Sequence, residues 1–138
     1  MPPLHDVMTR EVEVLSPNAT VAEAAVRTAK LDMGSIPICE GTRLVGMLTD
    51  RDLVVRVMAP GCEPKMTRVK QVMTDSIHYC YEDEDSAQAL RVMSEQQIRR
   101  LPILSRSQQL VGIVSLGDLA KRGEDAATSG IALRRVSS

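Results

Sequence analysis

Two short polar motifs in this chain place a carboxylate three residues after a hydroxyl. They are Thr49-Asp50-Arg51-Asp52 and Ser115-Leu116-Gly117-Asp118. A carboxylate only accepts hydrogen bonds, and a hydroxyl beside it also accepts, so each motif is suited to the paired hydroxyls of a ribose. A helix that begins beside the motif would favour a phosphate group. The same spacing is also a helix-capping arrangement, in which the two side chains serve backbone N–H groups. Both interpretations stay open at this point.

The two motifs belong to an internal repeat with an offset of 65 and then 66 residues. A fixed period indicates a unit that buries its apolar face against a copy of itself. The matching segments are Val7-Met8-Thr9 with Val72-Met73-Thr74, Ile36-Pro37-Ile38 with Leu101-Pro102-Ile103, and Leu44-Val45-Gly46-Met47-Leu48-Thr49 with Leu110-Val111-Gly112-Ile113-Val114-Ser115. The predicted organisation is a first repeat at 7–58, a linker at 59–70, a second repeat at 71–123 and a tail at 124–138.

Each repeat has the pattern strand, helix, strand, strand, helix, which predicts a mixed α/β fold. In the first repeat, the β-rich run 11–15 predicts the opening strand, and Thr20 with Glu23 three residues on predicts the start of a helix. Residues 36–39 and 43–48 predict a hairpin, and 50–58 the closing helix. Because Pro37 has no N–H, we expect its strand to lie at a sheet edge or to leave peptide groups for a ligand.

The composition argues against several other functions. The formal net charge is −1, from 17 basic and 18 acidic residues, so no broad positive field attracts nucleic acid. The chain has no Trp, no Phe and two Tyr, and thus lacks the aromatic faces on which single-strand binders stack bases. It has no apolar run of the ~18 residues that span a bilayer, and residues 1–6 do not resemble a signal peptide. We expect a cytoplasmic protein.

The three cysteines do not indicate metal or redox chemistry. Cys39, Cys62 and Cys80 are odd in number and far apart, and there is no C-x-x-C pair or Cys/His cluster with zinc spacing. We therefore expect reduced, partly buried thiols and no metal site. A nucleophile–base pair and a Gly-rich phosphate loop are also missing from the sequence, which predicts a protein that is not an enzyme.

The ordered motifs, each present twice, resemble a tandem pair of cystathionine-β-synthase-type domains, the CBS pair or Bateman module. The chain is similar in particular to small stand-alone bacterial CBS-pair proteins, including those of the hypoxic-response type. The resemblance covers residues 7 to about 123. It implies two β-α-β-β-α repeats packed sheet to sheet about a pseudo-twofold axis. It also implies two clefts between them, where many members bind adenine nucleotides or S-adenosylmethionine.

The resemblance also implies roles for individual residues. The family's ribose-binding carboxylates correspond to Asp52 and Asp118, with Thr49 and Ser115 near ribose or phosphate. In the family, backbone near the prolines recognises adenine, and the corresponding residues here are Ile36, Pro37, Leu101 and Pro102. The threonines at the mouth of each cleft correspond to Thr9 and Thr74.

The two repeats differ in charge beside these positions. Arg99-Arg100 stand where the first repeat has Gly34-Ser35. Arginine is well shaped for phosphate, so this pair favours binding of a charged nucleotide. The alternative is that both are solvated or pair with carboxylates such as Asp83. Similarly, Arg51 replaces Gly117 and would reach a phosphate or an exposed carboxylate.

These observations predict a regulatory sensor that binds AMP, ADP, ATP, NAD or S-adenosylmethionine between its repeats and requires no cofactor. We expect it to form a homodimer through helices that include the stripe Ala22, Ala25 and Ala29, and to act on an unidentified protein target. The alternative is a ligand-free dimerisation and protein-interaction module. The motif carboxylate is present in both repeats, as Asp52 and Asp118, and this argues against the alternative.

Overall fold

The computed structural model describes residues 1–121 of the chain. The predicted tail at 124–138 and the end of the second repeat lie outside the described residues. The chain divides into two compact units. We call Glu13–Ile77 the continuous unit, and Met1–Val12 together with the chain from His78 onward the split unit. Within residues 1–121, none of the helices combines the length and the apolar character needed to cross a bilayer.

The continuous unit contains three helical segments and a hairpin. Its core is formed by apolar side chains such as Val21, Ile38, Leu48 and Val69. In chain order its elements are α1 (Val21–Leu31), β1 (Ser35–Glu40), β2 (Arg43–Thr49), α2 (Asp50–Asp52), a π-helical segment (Leu53–Met58) that continues α2, and α3 (Val69–Val72).

The split unit shares the order helix, hairpin, helix, and it adds a strand before its first helix and a 3-10 turn at Leu4–Asp6. That turn supplies Leu4 to a core that also contains Leu90, Met93 and Leu119. The further elements are β3 (Cys80–Tyr81), α4 (Ser86–Gln96), β4 (Arg100–Leu104), β5 (Leu110–Ser115) and α5 (Leu116–Lys121). The α/β fold class predicted from the sequence is confirmed in both units.

Both predicted hairpins are present, because β1 pairs antiparallel with β2 and β4 pairs antiparallel with β5. The opening helices begin at hydroxyl or carboxylate caps, as predicted for the first of them. Thr20 accepts a hydrogen bond from the Glu23 N–H at 3.2 Å, and Asp85 accepts one from the Ala87 N–H at 2.8 Å. Such caps satisfy backbone donors that have no partner inside the helix.

The predicted strand at 11–15 is wrong, since Leu15 alone forms a parallel bridge, with Ile38. Leu15 donates to the Pro37 carbonyl and accepts from the Cys39 N–H. Further pairing requires a donor on Pro37 at one side and on Pro17 at the other, and proline has none. In the split unit Glu82 replaces Pro17 and donates to the Leu104 carbonyl, so a two-residue strand forms there.

The strand with Pro37, β1, belongs to a two-stranded sheet, in agreement with the expected edge position, but the strand with the second proline does not lie at an edge. The split unit's sheet has the order β3-β4-β5, so β4 with Pro102 is its central strand. The parallel partner β3 pairs with Ile103 and Leu104, which follow Pro102. The proline is tolerated because its missing donor falls where the parallel ladder ends.

The Val-Met-Thr segments pack on the hairpins of the opposite repeats. Thr74 and Met47 exchange backbone hydrogen bonds of 2.8 Å in the continuous unit, while Thr9 bridges to β5 in the split unit. Gly46 permits this crossing, because a Cβ there would lie 2.6 Å from the Met73 sulfur and 3.0 Å from the Thr74 carbonyl oxygen. Gly112 meets the Met8–Thr9 segment in the same way. Each compact unit therefore combines segments from both predicted repeats.

Candidate functional site

The two hydroxyl–carboxylate motifs lie at the junctions β2–α2 and β5–α5, where both form capping boxes. Thr49 Oγ1 accepts from the Asp52 N–H at 3.1 Å, and Asp52 Oδ2 accepts from the Thr49 N–H at 3.0 Å. Ser115 and Asp118 make the same two bonds, each at 3.0 Å. The capping interpretation is therefore correct for one oxygen of each carboxylate. Any ligand role falls to the remaining oxygen and to the groups around it.

In the continuous unit the Asp52 carboxylate is enclosed by further side chains of the same unit. The Thr74 hydroxyl donates to it, lying 3.3 Å from both oxygens. Arg56 Nε lies 3.7 Å from Asp52 Oδ1, and the carboxylate side chain is 8% exposed. We call Thr49, Asp52, Arg56 and Thr74 the Asp52 site. Side chains of the same unit thus supply hydrogen bonds and a positive charge to the buried Asp52 carboxylate.

Arg56 is a member of this site that sequence reasoning missed. It lies on the π-helical segment, and its Nη1 donates to the carbonyls of Val72 and Met73 at 3.2 Å each. Those carbonyls end α3, where a cation is favourable. A π-helical insertion often marks a functional position, and here it brings one guanidinium to both α3 and Asp52. The spacing Asp52 to Arg56 was the available signal, since residues four apart are neighbours on a helix.

In the split unit the Asp118 carboxylate has fewer partners. It is half-buried and accepts from the Ser115 N–H, and no other residue among 1–120 donates a hydrogen bond to it. Thr9, which matches Thr74 in the repeat, is exposed and uses its backbone to pair with Ile113. Among residues 1–120, the Asp118 carboxylate therefore receives fewer contacts than the Asp52 carboxylate.

The charge difference between the repeats lies beside these carboxylates. Arg100 stands directly opposite Ser115 in the β4–β5 register, as Ser35 stands opposite Thr49 in the β1–β2 register. Opposed residues of antiparallel strands project to the same face of the sheet. Arg100 is half-buried on the face that carries Ser115. We call Arg100, Ser115 and Asp118 the Asp118 site.

The neighbouring Arg99 forms a backbone hydrogen bond at the junction between β5 and α5. The Arg99 carbonyl accepts from the Leu116 N–H at 3.1 Å, which matches the Gly34 carbonyl and the Asp50 N–H at 3.0 Å. Asp83, one of the predicted alternative partners of this pair, instead binds Arg106 at 3.0 Å. Arg99 itself is exposed at the surface.

The other predicted site residues divide into buried and exposed groups. The segments that contain the prolines are buried in the hairpins. Arg51 is exposed at the start of α2, and Gly117 is exposed at the matching position of α5. The buried predicted residues are Ile36, Pro37, Leu101 and Pro102.

The Cys62 thiol donates to the Arg56 carbonyl at 3.6 Å, and the other two cysteines are buried. Burial raises the pKa of Cys39, and burial followed by the nearby charge of Glu84 raises the pKa of Cys80 to about 12. Both thiols are buried and protonated at neutral pH, which suppresses thiolate chemistry. Within residues 1–121, His, Cys, Asp and Glu form no group of three or more suited to a metal ion.

Comparison with known proteins gives consistent matches over nearly the whole chain. The chain is 39% identical to the CBS domain-containing protein YhcV of Bacillus subtilis, over 99% of this chain and 96% of that protein. It is 38% identical to Hypoxic response protein 1 of Mycobacterium tuberculosis, over 84% and 81% respectively. Both relatives are matched over most of their own length.

Solved structures match the fold as well. A crystal structure of Hypoxic Response Protein I with two coordinated zinc ions is 36% identical, with a TM-score of 0.80 over 88% of this chain and 99% of that one. The CBS domain pair of protein MJ0100, in complex with 5′-methylthioadenosine and S-adenosyl-L-methionine, is 23% identical, with a TM-score of 0.75 over 88% and 94%. The family model described as CBS domain matches residues 4–59 and again 69–125. The chain belongs to the CBS domain family and carries two such domains in tandem.

Proposed function

We propose that this CBS pair is a non-enzymatic regulatory module that binds an adenosine-containing ligand, with Asp118 as its principal ribose-binding carboxylate. The observation that carries the proposal is the environment of Asp118. One of its oxygens caps α5, and no residue among 1–120 donates to the other. A carboxylate oxygen of this kind is a strong acceptor for a ribose hydroxyl.

The charge beside Asp118 supports a phosphorylated ligand. Arg100 projects to the face of β4–β5 that carries Ser115, and a guanidinium binds phosphate oxygens in a bidentate manner. The MJ0100 pair supports adenosine chemistry by its fold, since it holds 5′-methylthioadenosine and S-adenosyl-L-methionine. AMP, ADP, ATP, NAD and S-adenosylmethionine are the candidate ligands, and the buried peptide groups around Pro102 are the proposed adenine contacts.

A ligand-free interaction module is the second candidate, and the Asp52 site favours it. There Thr74 and Arg56 already satisfy the carboxylate, which is what a packed site without a ligand needs. We propose that the Asp52 site alone is such a packed site without a ligand. A second copy of the chain remains the proposed protein partner, in the cytoplasm.

Thermal-shift measurements with the five candidate ligands test the proposal. At least one should raise the melting temperature, because a ligand that binds the native state stabilises it by about 2.7 kcal/mol at a hundred times its dissociation constant. Asp118→Ala should abolish the shift, and Arg91→Ala, which alters an exposed arginine on α4 of the same unit, should preserve it. If all five ligands leave the wild-type protein unshifted, the ligand-free module is the correct function.

A further inference from the structure

The chain has two tyrosines and no Phe or Trp, and both tyrosines lie together on the split unit. Tyr79 directly precedes β3 and Tyr81 ends it, and their rings meet edge to face with centroids 5.5 Å apart. Tyr79 is 39% exposed. An exposed tyrosine offers a large and rigid contact area, which is why tyrosine is frequent among the residues that dominate protein interfaces.

The turn between β4 and β5 holds Tyr81 in place. The Arg106 guanidinium lies over the Tyr81 ring, 4.2 Å from its centroid, and Gln108 donates to the Tyr81 hydroxyl at 2.8 Å. Asp83 in turn accepts from Arg106 Nε at 3.1 Å. Side chains that are fixed before a partner arrives lose less conformational entropy on binding. We call Tyr79, Tyr81, Asp83 and Arg106 the tyrosine surface, and these contacts preorganise it.

The continuous unit folds without such a cluster. At the repeat offset of 65, Tyr79 and Tyr81 correspond to Val14 and Ser16. The helix, the hairpin and the core of that unit form without any Phe, Tyr or Trp. The tyrosine surface is therefore an addition to one unit and not a requirement of the repeated fold.

The tyrosine surface lies away from the Asp118 site of the same unit. Arg106 belongs to the turn that precedes β5, whereas Ser115 ends β5. The five residue steps from Leu110 to Ser115 span about 17 Å along a strand. A group bound at the tyrosine surface would therefore occupy a different part of the unit from a group bound at Asp118.

The charges beside the tyrosine surface favour a cation. Glu84 accepts from the Tyr81 N–H at 2.8 Å, which places its carboxylate beside the ring pair. Glu84 forms no ion pair with a residue among 1–120, whereas Arg106 is paired with Asp83 at 3.0 Å. Within the same range no cation lies over the Tyr79 ring. Tyr79 thus offers an exposed aromatic ring beside a carboxylate without an ion-pair partner among these residues.

We propose that the tyrosine surface binds an arginine side chain of a partner protein, which lies over Tyr79 and pairs with Glu84. Arg106 has this arrangement within the chain, since its guanidinium lies over Tyr81 and pairs with Asp83 at the same time. Arginine suits both contacts, because its planar guanidinium stacks on aromatic faces and binds carboxylates. The partner segment is therefore basic, and its association should weaken as the ionic strength rises.

Titration of the full chain with hexa-arginine tests the surface, with hexalysine and hexaglutamate as comparisons. Hexa-arginine should change the tyrosine fluorescence saturably, and the signal is specific because Tyr79 and Tyr81 are the chain's only Phe, Tyr or Trp residues. Hexalysine should bind more weakly, since an ammonium group lacks the planar face that stacks. Hexaglutamate should not bind. Tyrosine emission that hexa-arginine leaves unchanged would overturn the proposal.

Anisotropy of fluorescein-labelled hexa-arginine measures the affinity of variants. Tyr79→Leu should raise the dissociation constant about two- to fivefold, the range of a cation–π contact at an exposed site. Tyr79→Phe keeps the ring and should bind like the wild type. Glu84→Gln keeps an acceptor for the Tyr81 N–H but should weaken the peptide. Glu23→Gln removes an exposed charge from α1 of the other unit and should leave the affinity unchanged.

Equal affinities of Tyr79→Leu and Tyr79→Phe, or a loss in Glu23→Gln as large as that in Glu84→Gln, would mean nonspecific charge attraction and refute the proposal. If Tyr79→Leu does not fold, the two glutamate variants decide the question. The double variant Arg134→Gln, Arg135→Gln should bind the peptide like the wild type. A gain in its affinity would identify the chain's own arginines as the occupant and would also refute the partner.

Discussion

The Asp52 and Asp118 sites share their cap geometry and differ in what surrounds the carboxylate. Both aspartates bond the N–H of the hydroxyl residue three positions earlier, at 3.0 Å. Asp52 then receives Thr74 and Arg56, whereas Asp118 is half-buried and has a cationic neighbour across the hairpin. Within the described residues, one repeated motif thus holds an enclosed carboxylate in one unit and a less enclosed carboxylate in the other.

The largest expected contrast is between the two aspartates themselves. Asp52→Ala should lower the free energy of unfolding by about 2–3 kcal/mol, because it removes a cap, the acceptor of the Thr74 hydroxyl and the carboxylate partner of Arg56. Asp118→Ala should cost about 1 kcal/mol, the usual value of a cap. Urea titration of both variants measures the difference. Equal losses would mean that the two environments are energetically the same.

Ligand charge gives the next contrast. Arg100→Ala should weaken AMP about tenfold, because a charge-assisted contact to phosphate is worth about 1.5–3 kcal/mol when well formed. Adenosine, which has no phosphate, should bind the variant and the wild type alike. Calorimetric titration of both ligands measures the effect. If AMP and adenosine weaken together, Arg100 supports the fold rather than the phosphate.

The two threonines after Val-Met sharpen the comparison without any ligand. Thr74→Val should lower the free energy of unfolding by about 1 kcal/mol, since it removes a hydrogen bond to a buried carboxylate. Thr9→Val should change it by less than about 0.5 kcal/mol, as expected for an exposed side chain. Urea denaturation measures both variants. A loss in Thr9→Val as large as that in Thr74→Val would indicate a second enclosed carboxylate.

The smallest effect concerns alkaline pH. Because burial raises the pKa of Cys80 from its ordinary value of 9.0 to about 12, the folded thiol keeps its proton at pH values where the unfolded thiol loses it. Its contribution to stability is complete below pH 9 and declines as pH rises toward 12. The free energy of unfolding, measured from pH 8 to 11, should fall less steeply in Cys80→Ala than in the wild type. Identical slopes would show that the thiol is already ionised or exposed in the folded protein.

Much of the fold follows from local signals in the sequence. The caps at Thr20 and Asp85 and the capping boxes join residues two or three positions apart, and each hairpin pairs strands that adjoin in the sequence, so spacing predicts them. The opening strand at 11–15 was predicted wrongly because its pairing depends on donors of distant residues. Pro17 and Pro37 together reduce that pairing to Leu15.

The candidate site was predictable only in part. The repeat identified Asp52, Asp118 and the arginine pair, but it presented the two aspartates as equivalents. Arg56 was missed because its role depends on a π-helical turn and on the carbonyls that end α3. A neighbour relation of that kind arises only after helices and segments have packed.

By itself, the sequence determined the repeat, the hydroxyl–carboxylate motifs and the excess of charge near Arg100, because these are properties of residue type and spacing. Tertiary structure decided which segment accompanies which motif. The second Val-Met-Thr crosses Gly46 and brings Thr74 to Asp52, while the first crosses Gly112 and leaves Thr9 exposed. The two Val-Met-Thr segments are identical in sequence, so they cannot reveal that each one packs on the hairpin of the other repeat. The free energy that distinguishes the two sites comes from packing between residues far apart in the chain.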